Sequence, residues 1–171
     1  MANVYDLFTA DKHVVCESSL LKATVTGHIY SLKAHKQMDN GSIVCRGAWA
    51  EAQVFNSKDY VEGEAPLLVL TTPIGYNSDR RTYQDECYFF NAQGEIMRAY
   101  ELCEGDIFTV SDIAITALAD APVVGNYVAI DGGLYAEAAD APAAGFVGQI
   151  VEKVSYTNRD AYRILVVKTG V

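Results

Sequence analysis

Short runs of apolar and β-branched residues, separated by glycine, proline and aspartate, dominate the last third of the chain. They predict β-strands at residues 106–110, 113–118, 127–130, 146–151 and 162–167. The turn signals between these runs recur at short intervals, which favours a barrel or sandwich over strands that alternate with long helices. The alanine-rich residues 136–141 predict either one helical turn or a loop.

The first hundred residues carry a second set of strand signals. Residues 23–30 are rich in β-branched and aromatic types and predict a strand. The pair Asn40-Gly41 predicts a tight turn, because both residues tolerate a positive φ. Residues 47–55 alternate small side chains with larger or polar ones, as in a strand whose two faces differ.

A compact apolar run at residues 66–72 lies between Gly63 and Pro73 and predicts a strand buried on both faces. Residues 83–90 and 94–103 predict a hairpin with a four-residue loop. A helix over 96–102 is the alternative, which its short length and the flanking glycines disfavour. The whole pattern predicts a mainly β fold, a β-barrel or β-sandwich with an N-terminal arm.

The arm is predicted at residues 1–22, which are partly apolar but show no sustained helical period. An ordinary first strand or short helix of the domain is the equal alternative. Large apolar side chains in a terminal segment need a surface to bury them, so Tyr5 and Phe8 are candidate contacts with a neighbouring molecule. Residues 23–103 are predicted to form a β-rich body, and whether that body is a separate small domain is left open.

Charge and hydropathy narrow the classes of partner. The 171 residues carry a net charge of −9, which would repel a phosphate backbone, so nucleic acid is not expected as a partner. No apolar run approaches the roughly 18 residues that span a membrane, and the first residues lack the pattern of a secretory signal. Half of the residues are hydrophobic and a fifth are charged, which is typical of a folded soluble protein.

No spacing of cysteines or histidines predicts a metal site or a cofactor. The nearest approach to a metal-binding pair is His13 with Cys16, but four ligands are expected and no second pair accompanies them. His28 and His35 stand outside any metalloprotease motif. The four cysteines lack Cys-x-x-Cys spacing and are interpreted as free thiols of a reducing cytoplasm, with a bridge between juxtaposed strands as the alternative: Cys16, Cys45, Cys87 and Cys103.

The remaining candidates for chemistry have simpler structural interpretations. Glu101, Glu104 and Asp106 lack the order of a calcium loop and are interpreted as a solvated loop rather than a cation site or a glycosidase pair. Cys87 is interpreted as a buried structural thiol rather than a nucleophile, and residues 131–133 as a hairpin turn rather than a phosphate loop. The protein is therefore not expected to be an enzyme.

Aromatic residues are a separate question, since they form cores, interface anchors and sugar-binding platforms. Trp49 and most of the 11 tyrosines are expected to be core or barrel residues. The alternative is a carbohydrate-binding surface that includes Trp49 and a surface tyrosine.

The order of glycines, turns and strands in the last third is more specific than its composition. It contains Gly-Asn-Tyr-Val at 125–128, Asp-Gly-Gly at 131–133, Gly-Phe-Val-Gly-Gln-Ile-Val at 145–151 and a closing strand at 162–167. This order resembles the small β-barrel domain of the capsid decoration, or cement, proteins of tailed bacteriophages.

The resemblance implies a small β-barrel domain at residues 104–171 and a non-enzymatic role in the virion. Such proteins are made in the bacterial cytoplasm and bind the outside of the expanded capsid, where they stabilise the shell. The implied partners are the major capsid protein and copies of the chain itself, in a trimer or another ring, with no cofactor. The alternatives are another head or tail structural protein of a phage, or a carbohydrate-binding β-sandwich.

Overall fold

The computed structural model describes residues 13–73, 86–156 and 159–171, and it confirms a mainly β fold with a closed barrel. In these ranges the strands are β1 (Cys16–Leu20), β2 (Ile29–Lys33), β3 (Ile43–Glu51), β4 (Val54–Asp59), β5 (Leu67–Val69), β6 (Ile96–Glu101), β7 (Ile107–Ser111), β8 (Ile115–Thr116), β9 (Tyr127–Asp131), β10 (Leu134–Ala138), β11 (Val147–Tyr156) and β12 (Arg159–Lys168).

Five strands close into a barrel in the order β2-β4-β3-β5-β6. The β2–β4 pair is parallel, and the other pairs in the barrel are antiparallel. Alternate side chains of these strands fill the interior, as the two-residue period of a strand requires. The buried cluster inside contains Leu32, Val44, Leu67, Val69, Met97 and Ala99, together with Ala34 and Met38 from the loop after β2.

The other seven strands form one sheet in the order β1-β7-β12-β11-β9-β10-β8. Its inner face packs against the barrel in a second buried cluster, to which the barrel contributes Ile43 and Leu68 and the sheet contributes Phe108, Val128 and Ile164. Hydrogen bonds also join the two parts, because the Ile43 N–H donates to the Gly133 carbonyl at 2.7 Å.

The closed barrel lies at residues 29–101, whereas the strands after residue 104 belong to the seven-stranded sheet. This placement differs from the expectation that the barrel is formed by residues 104–171. The buried cluster shared by the sheet and the barrel connects the two parts. The division of the chain into domains stays a prediction.

Several local predictions are confirmed. All three residues of β5 are buried, as the run at 66–72 predicts. Asn40 and Gly41 form a turn, and Gly41 has φ +86°. The Asp-Gly-Gly pattern forms the tight connection between β9 and β10, with positive φ at both Gly132 and Gly133.

The strand predicted at residues 23–30 is wrong in its first half. A four-residue helix, α1 (Ala23–Thr26), precedes β2. Gly27 ends the helix in the left-handed conformation with φ +77°, and its N–H donates to the Ala23 carbonyl. Gly27 is therefore a helix cap and not a strand residue.

Two further strand predictions differ from the structure. Ala52 and Gln53 both have positive φ and connect β3 to β4, so residues 47–55 are not one strand. From residue 86 onward, the hairpin predicted at residues 83–90 and 94–103 is not formed, because a 3-10 helix (Glu86–Tyr88) precedes β6 and β6 pairs with β2 and β5. Residues 96–102 are thus not helical either.

The last third differs from its prediction in two places. Residues 113–118 begin within a 3-10 helix (Asp112–Ala114) and contain only the two-residue strand β8. The alanine-rich segment at 136–141 begins as the end of β10, where a loop or helical turn was the expectation. In β10 the buried Tyr135 and Glu137 alternate with less buried neighbours, so its period is that of a strand.

Candidate functional site

The predicted contact residues of the arm, Tyr5 and Phe8, lie outside the described residues, so their role stays a prediction. The described end of that segment is integrated in the fold. Val14, Val15 and Leu21 are buried, and β1 pairs with β7. From residue 13 onward, the alternative of an ordinary first strand is therefore correct.

Ser57, His35 and Asp59 form a chain of hydrogen bonds that has the order of a hydrolase triad. The Ser57 Oγ lies 2.7 Å from the His35 Nδ1, and the His35 Nε2 lies 3.1 Å from an Asp59 carboxylate oxygen. These residues come from β4 and from the loop after β2, which the parallel β2–β4 pairing brings together. The sequence analysis did not single out this trio.

The contacts of Ser57 are those of an anchoring side chain and not of an activated nucleophile. Its hydroxyl donates to the Lys33 carbonyl at 3.0 Å and accepts from the His35 backbone N–H. A nucleophilic serine would instead direct its proton to the histidine ring. Ser57 is also buried. The trio therefore anchors the loop after β2 to β4.

Asp59 completes this anchor on the surface. It is exposed, and hydrogen bonds from Lys36 and then from His35 lower the pKa of its carboxyl below the ordinary value. The same carboxylate oxygen lies 2.6 Å from the Lys36 Nζ. Surface pairs of this kind contribute little stability, so their role is to position the loop.

The carboxylates at 101–106 separate in the structure. Asp106 is fully buried and accepts from the backbone N–H groups of Lys22 and Cys103, at 3.0 and 2.8 Å. Glu101 accepts the Tyr30 hydroxyl proton at 2.9 Å, and Glu104 is exposed. Asp106 thus ties α1 to the start of the sheet, and the interpretation of all three as a solvated loop is wrong for this residue.

The histidines and cysteines are likewise dispersed. His13 lies 2.8 Å from Asp39, and His28 lies 3.7 Å from Glu101. Within residues 13–73, 86–156 and 159–171, no group of three or more His, Cys, Asp or Glu side chains could hold a metal ion. The four cysteines form no disulfide with one another, and Cys87 is only half-buried, so its interpretation as a buried thiol is wrong in this respect. Burial raises the pKa of Cys16 far above its ordinary value, which suits an inert core thiol.

The loop between β8 and β9 is held by one buried carboxylate. Glu137 accepts from the backbone N–H groups of Leu118 and Val123, each at 2.8 Å, and from the Asn126 side chain at 2.7 Å. Burial raises the pKa of Glu137, but these hydrogen bonds outweigh it and hold the pKa below its ordinary value. The carboxylate is therefore charged and fixes the loop at three points.

This fixed loop presents apolar side chains to solvent. Leu118, Val123 and Val124 are 62%, 51% and 50% exposed, and we call these three residues the apolar loop. One carboxylate binds the backbone at both 118 and 123, which brings these two positions close together. Exposed apolar side chains on a constrained backbone are typical of interaction surfaces.

A second surface lies at one end of the barrel. Each of the five barrel strands places one residue there, and we call this set the barrel mouth: Tyr30, Arg46, Phe55, Leu67 and Glu101. Four of these, together with Glu64 and Ala65, line a cleft of about 180 Å³. Phe55 packs beside the cleft against Tyr30 and Arg46.

The residues of the barrel mouth hold one another in place through cation–π, aromatic and hydrogen-bond contacts. The Arg46 guanidinium lies over the rings of Tyr30 and Phe55, with 4.9 and 5.0 Å from its carbon to the centroids. Trp49 meets Phe55 edge to face at 5.1 Å. It lies on barrel strand β3 and is 58% exposed, so it is a barrel residue and not a core residue. Burial and the hydrogen bond to Glu101 raise the pKa of Tyr30, which keeps its proton as a donor.

Sequence reasoning could have found only part of these surfaces. The alternation of β10 would place Glu137 on the same face as Tyr135, which marks a buried carboxylate in need of donors. The barrel mouth collects residues from position 30 to position 101, and its members become neighbours only through the strand order. No local motif carries that information.

Comparisons with protein-family models, with curated proteins and with solved structures find no match for this chain. The fold and the two surfaces are thus the basis for inference. Across the described ranges, none of the helices has the length and apolar character needed to cross a lipid bilayer.

Proposed function

We propose that this protein is a non-enzymatic structural protein of a phage virion, which binds the outer surface of the assembled capsid and stabilises the shell. The observation that carries the proposal is the apolar loop, because its three exposed side chains are held on a backbone that Glu137 fixes. The resemblance of residues 104–171 to decoration proteins supplies the nature of the partner.

The arrangement of polar groups supports a binding role over a catalytic one. Ser57, His35, Asp106 and Glu137 are of types that suit catalysis, and each is engaged in hydrogen bonds that hold loops or strands. An adhesive surface has no need of an activated nucleophile or base. It needs apolar area that stays in place while the partner is absent.

The energetics of shell binding suit small contacts of this kind. Burial of one valine or leucine side chain contributes about 1.5–3 kcal/mol, so three such residues provide a useful contact in each copy. A protein that binds the assembled lattice better than the free subunits stabilises the lattice by mass action. Linking copies in a trimer or another ring would multiply the effect through effective concentration.

The test compares the binding of a loop variant with that of a matched surface variant. In Val123→Ser/Val124→Ser we expect the affinity for expanded capsid shells to fall about tenfold or more, since each tenfold step corresponds to about 1.4 kcal/mol. Val25→Ser removes an equally apolar and more exposed side chain on α1 and should leave the affinity unchanged. Sedimentation of the shells with labelled protein measures both.

Unchanged binding by the double variant would exclude the apolar loop as the contact, and no binding of the parent protein to shells would exclude the proposed function. Quantitative mass spectrometry of purified virions then shows whether the protein belongs to the capsid shell or to the tail. A molar ratio to the major capsid protein between about one to three and one to one fits occupancy of a repeating lattice. A dozen copies or fewer would indicate a portal or tail component, the alternative structural role.

A further inference from the structure

The barrel mouth has features of a ligand site that binding to a capsid does not require. One residue from each of the five strands converges on it, so its geometry is set by the closure of the barrel. The interior below is filled by Leu32, Val69, Met97 and Ala99. The cleft is therefore a shallow mouth rather than a channel, and the mouths of β-barrels are common positions for small-molecule sites.

Arg46 is the central polar group of this mouth. Its guanidinium lies over two aromatic rings, and Tyr30 and Phe55 themselves meet edge to face with 85° between their planes. No carboxylate among the described residues forms a salt bridge with Arg46. A planar guanidinium held in this way keeps its N–H edge available and loses little entropy when it donates to a ligand.

The other polar groups set the charge of the ligand. Glu101 and Glu64 line the same cleft, but Glu64 is already paired with the Lys58 Nζ at 2.6 Å, so the Glu101 carboxylate balances the Arg46 guanidinium and the cleft favours neither an anion nor a cation. Arg46 also lies over the rings of Tyr30 and Phe55, which closes those two faces to an organic cation. Donors and acceptors lie side by side, which suits a neutral molecule that carries several hydroxyl groups.

Trp49, which packs on Phe55 beside the cleft, offers an exposed aromatic face to the ligand. More than half of its surface is exposed. Amphipathic rings of this type stack on the apolar faces of flat molecules and leave the polar edges to hydrogen bonds. The cleft volume of about 180 Å³ is below the range of drug-sized pockets, which begins at roughly 300 Å³, and therefore suits a single small ring.

We propose that the barrel mouth binds one neutral pyranose unit of a saccharide, with Arg46 and Glu101 as hydrogen-bonding groups and Trp49 as the stacking surface. This site is distinct from the apolar loop. It would give the protein a glycan-binding activity in addition to capsid binding.

The chain provides its own probe, because Trp49 is its single tryptophan. Methyl glycosides of glucose, galactose, mannose and N-acetylglucosamine are titrated at millimolar concentrations, and tryptophan emission is recorded. At least one glycoside should shift or quench the emission with a saturating curve. Arg46→Ala, which keeps the tryptophan, should weaken that binding about tenfold or more, because bound hydroxyls lose their donor.

Three further variants make the result specific to the site. Arg46→Lys keeps the charge but not the planar fork and should also lose affinity. Trp49→Ala should lose binding in ligand-detected NMR, and Ile96→Ser, an exposed position on β6, should bind as the parent does. Thermal unfolding of each variant confirms that it is folded.

The saccharide site is excluded if no glycoside changes the emission, or if Arg46→Ala and Ile96→Ser respond alike. A response to inorganic phosphate or to tetramethylammonium in place of the glycosides would also overturn it, since the charge argument would then be wrong. Val123→Ser/Val124→Ser should retain saccharide binding, and Arg46→Ala should retain capsid binding. The failure of one proposal is thus distinguishable from the failure of the other.

Discussion

Gly148 is the residue at which the core tolerates no side chain. A Cβ atom at this position of β11 would lie 2.6 Å from the Ile164 Cγ2 and 2.9 Å from the Val128 Cγ2. Both neighbours are fully buried in the cluster between sheet and barrel. We expect Gly148→Ala to reduce the free energy of unfolding by about 1–3 kcal/mol through overpacking, as urea denaturation would show.

A second substitution checks that the clash is the cause. Ile164→Leu removes the branch that carries Cγ2 and nearly conserves the side-chain volume. In the Gly148→Ala background it should recover part of the lost stability, so the two changes are not additive. Additive losses would show that Gly148 is required for another reason.

Among the elements, the loop between β8 and β9 depends on Glu137 more than on its own residues. Glu137→Gln replaces a charged acceptor by an amide that presents N–H groups toward the N–H of Leu118 or Val123. The free energy of unfolding should fall by about 1–3 kcal/mol, because hydrogen bonds to a charged group are lost. Glu62→Gln, at an exposed position, serves as the control and should have little effect.

Glu137 also makes the free energy of unfolding depend on pH in the acidic range. The folded-state pKa of Glu137 is lowered from its ordinary value of 4.5, so the stabilisation is present above that value and is lost as the pH falls through the folded-state pKa. The difference in stability between the parent protein and Glu137→Gln should therefore shrink as the pH is lowered below about 4.5. A difference that stays constant with pH would contradict the charged state of Glu137.

At this scale the sequence predicts elements better than their connections. The strand around residues 67–69 follows from its apolar run, and the β9–β10 turn follows from two glycines with positive φ. The turn at Ala52-Gln53 has no such signal, since neither residue is among those that favour positive φ.

The surfaces were harder to predict because their partners are distant along the chain. The donors to Glu137 lie 11 to 19 positions before it, and Arg46 and Glu101 line one cleft only because the barrel closes. Trp49 could be named from the sequence as a candidate, but its exposure depends on the position of β3 in the barrel. Residue types therefore identify candidates, and topology decides which of them meet.

For the whole molecule, the shared core predicts that barrel and sheet unfold together. Leu68 from the barrel and Phe108 from the sheet are both fully buried in one cluster. Urea unfolding followed by Trp49 emission, which reports on the barrel, should coincide with unfolding followed by circular dichroism. Leu68→Ala should lower both midpoints together, with a loss of about 2–5 kcal/mol.

Two separate transitions would contradict this expectation. They would support residues 23–103 as a domain of its own, the possibility that the sequence leaves open. A variant that keeps a cooperative transition in circular dichroism but shows none in Trp49 emission would lead to the same conclusion, because the sheet would then unfold independently of the barrel.

Truncation at the N-terminus separates folding from assembly, because the predicted contact residues Tyr5 and Phe8 precede the buried core residues Val14, Val15 and Leu21. Removing residues 1–12 deletes Tyr5 and Phe8 and keeps β1, so the melting temperature should stay near that of the full chain while the affinity for capsid shells falls.

Removing residues 1–21 also deletes the buried Val14, Val15 and Leu21. At about 1.5–3 kcal/mol for each, that loss approaches the whole stability of a typical domain, and the shorter chain should not fold. Thermal unfolding measures the effect on folding, and shell sedimentation measures the effect on assembly. If the chain that begins at residue 13 does not fold, or if it binds shells with full affinity, the predicted arm is not an assembly contact.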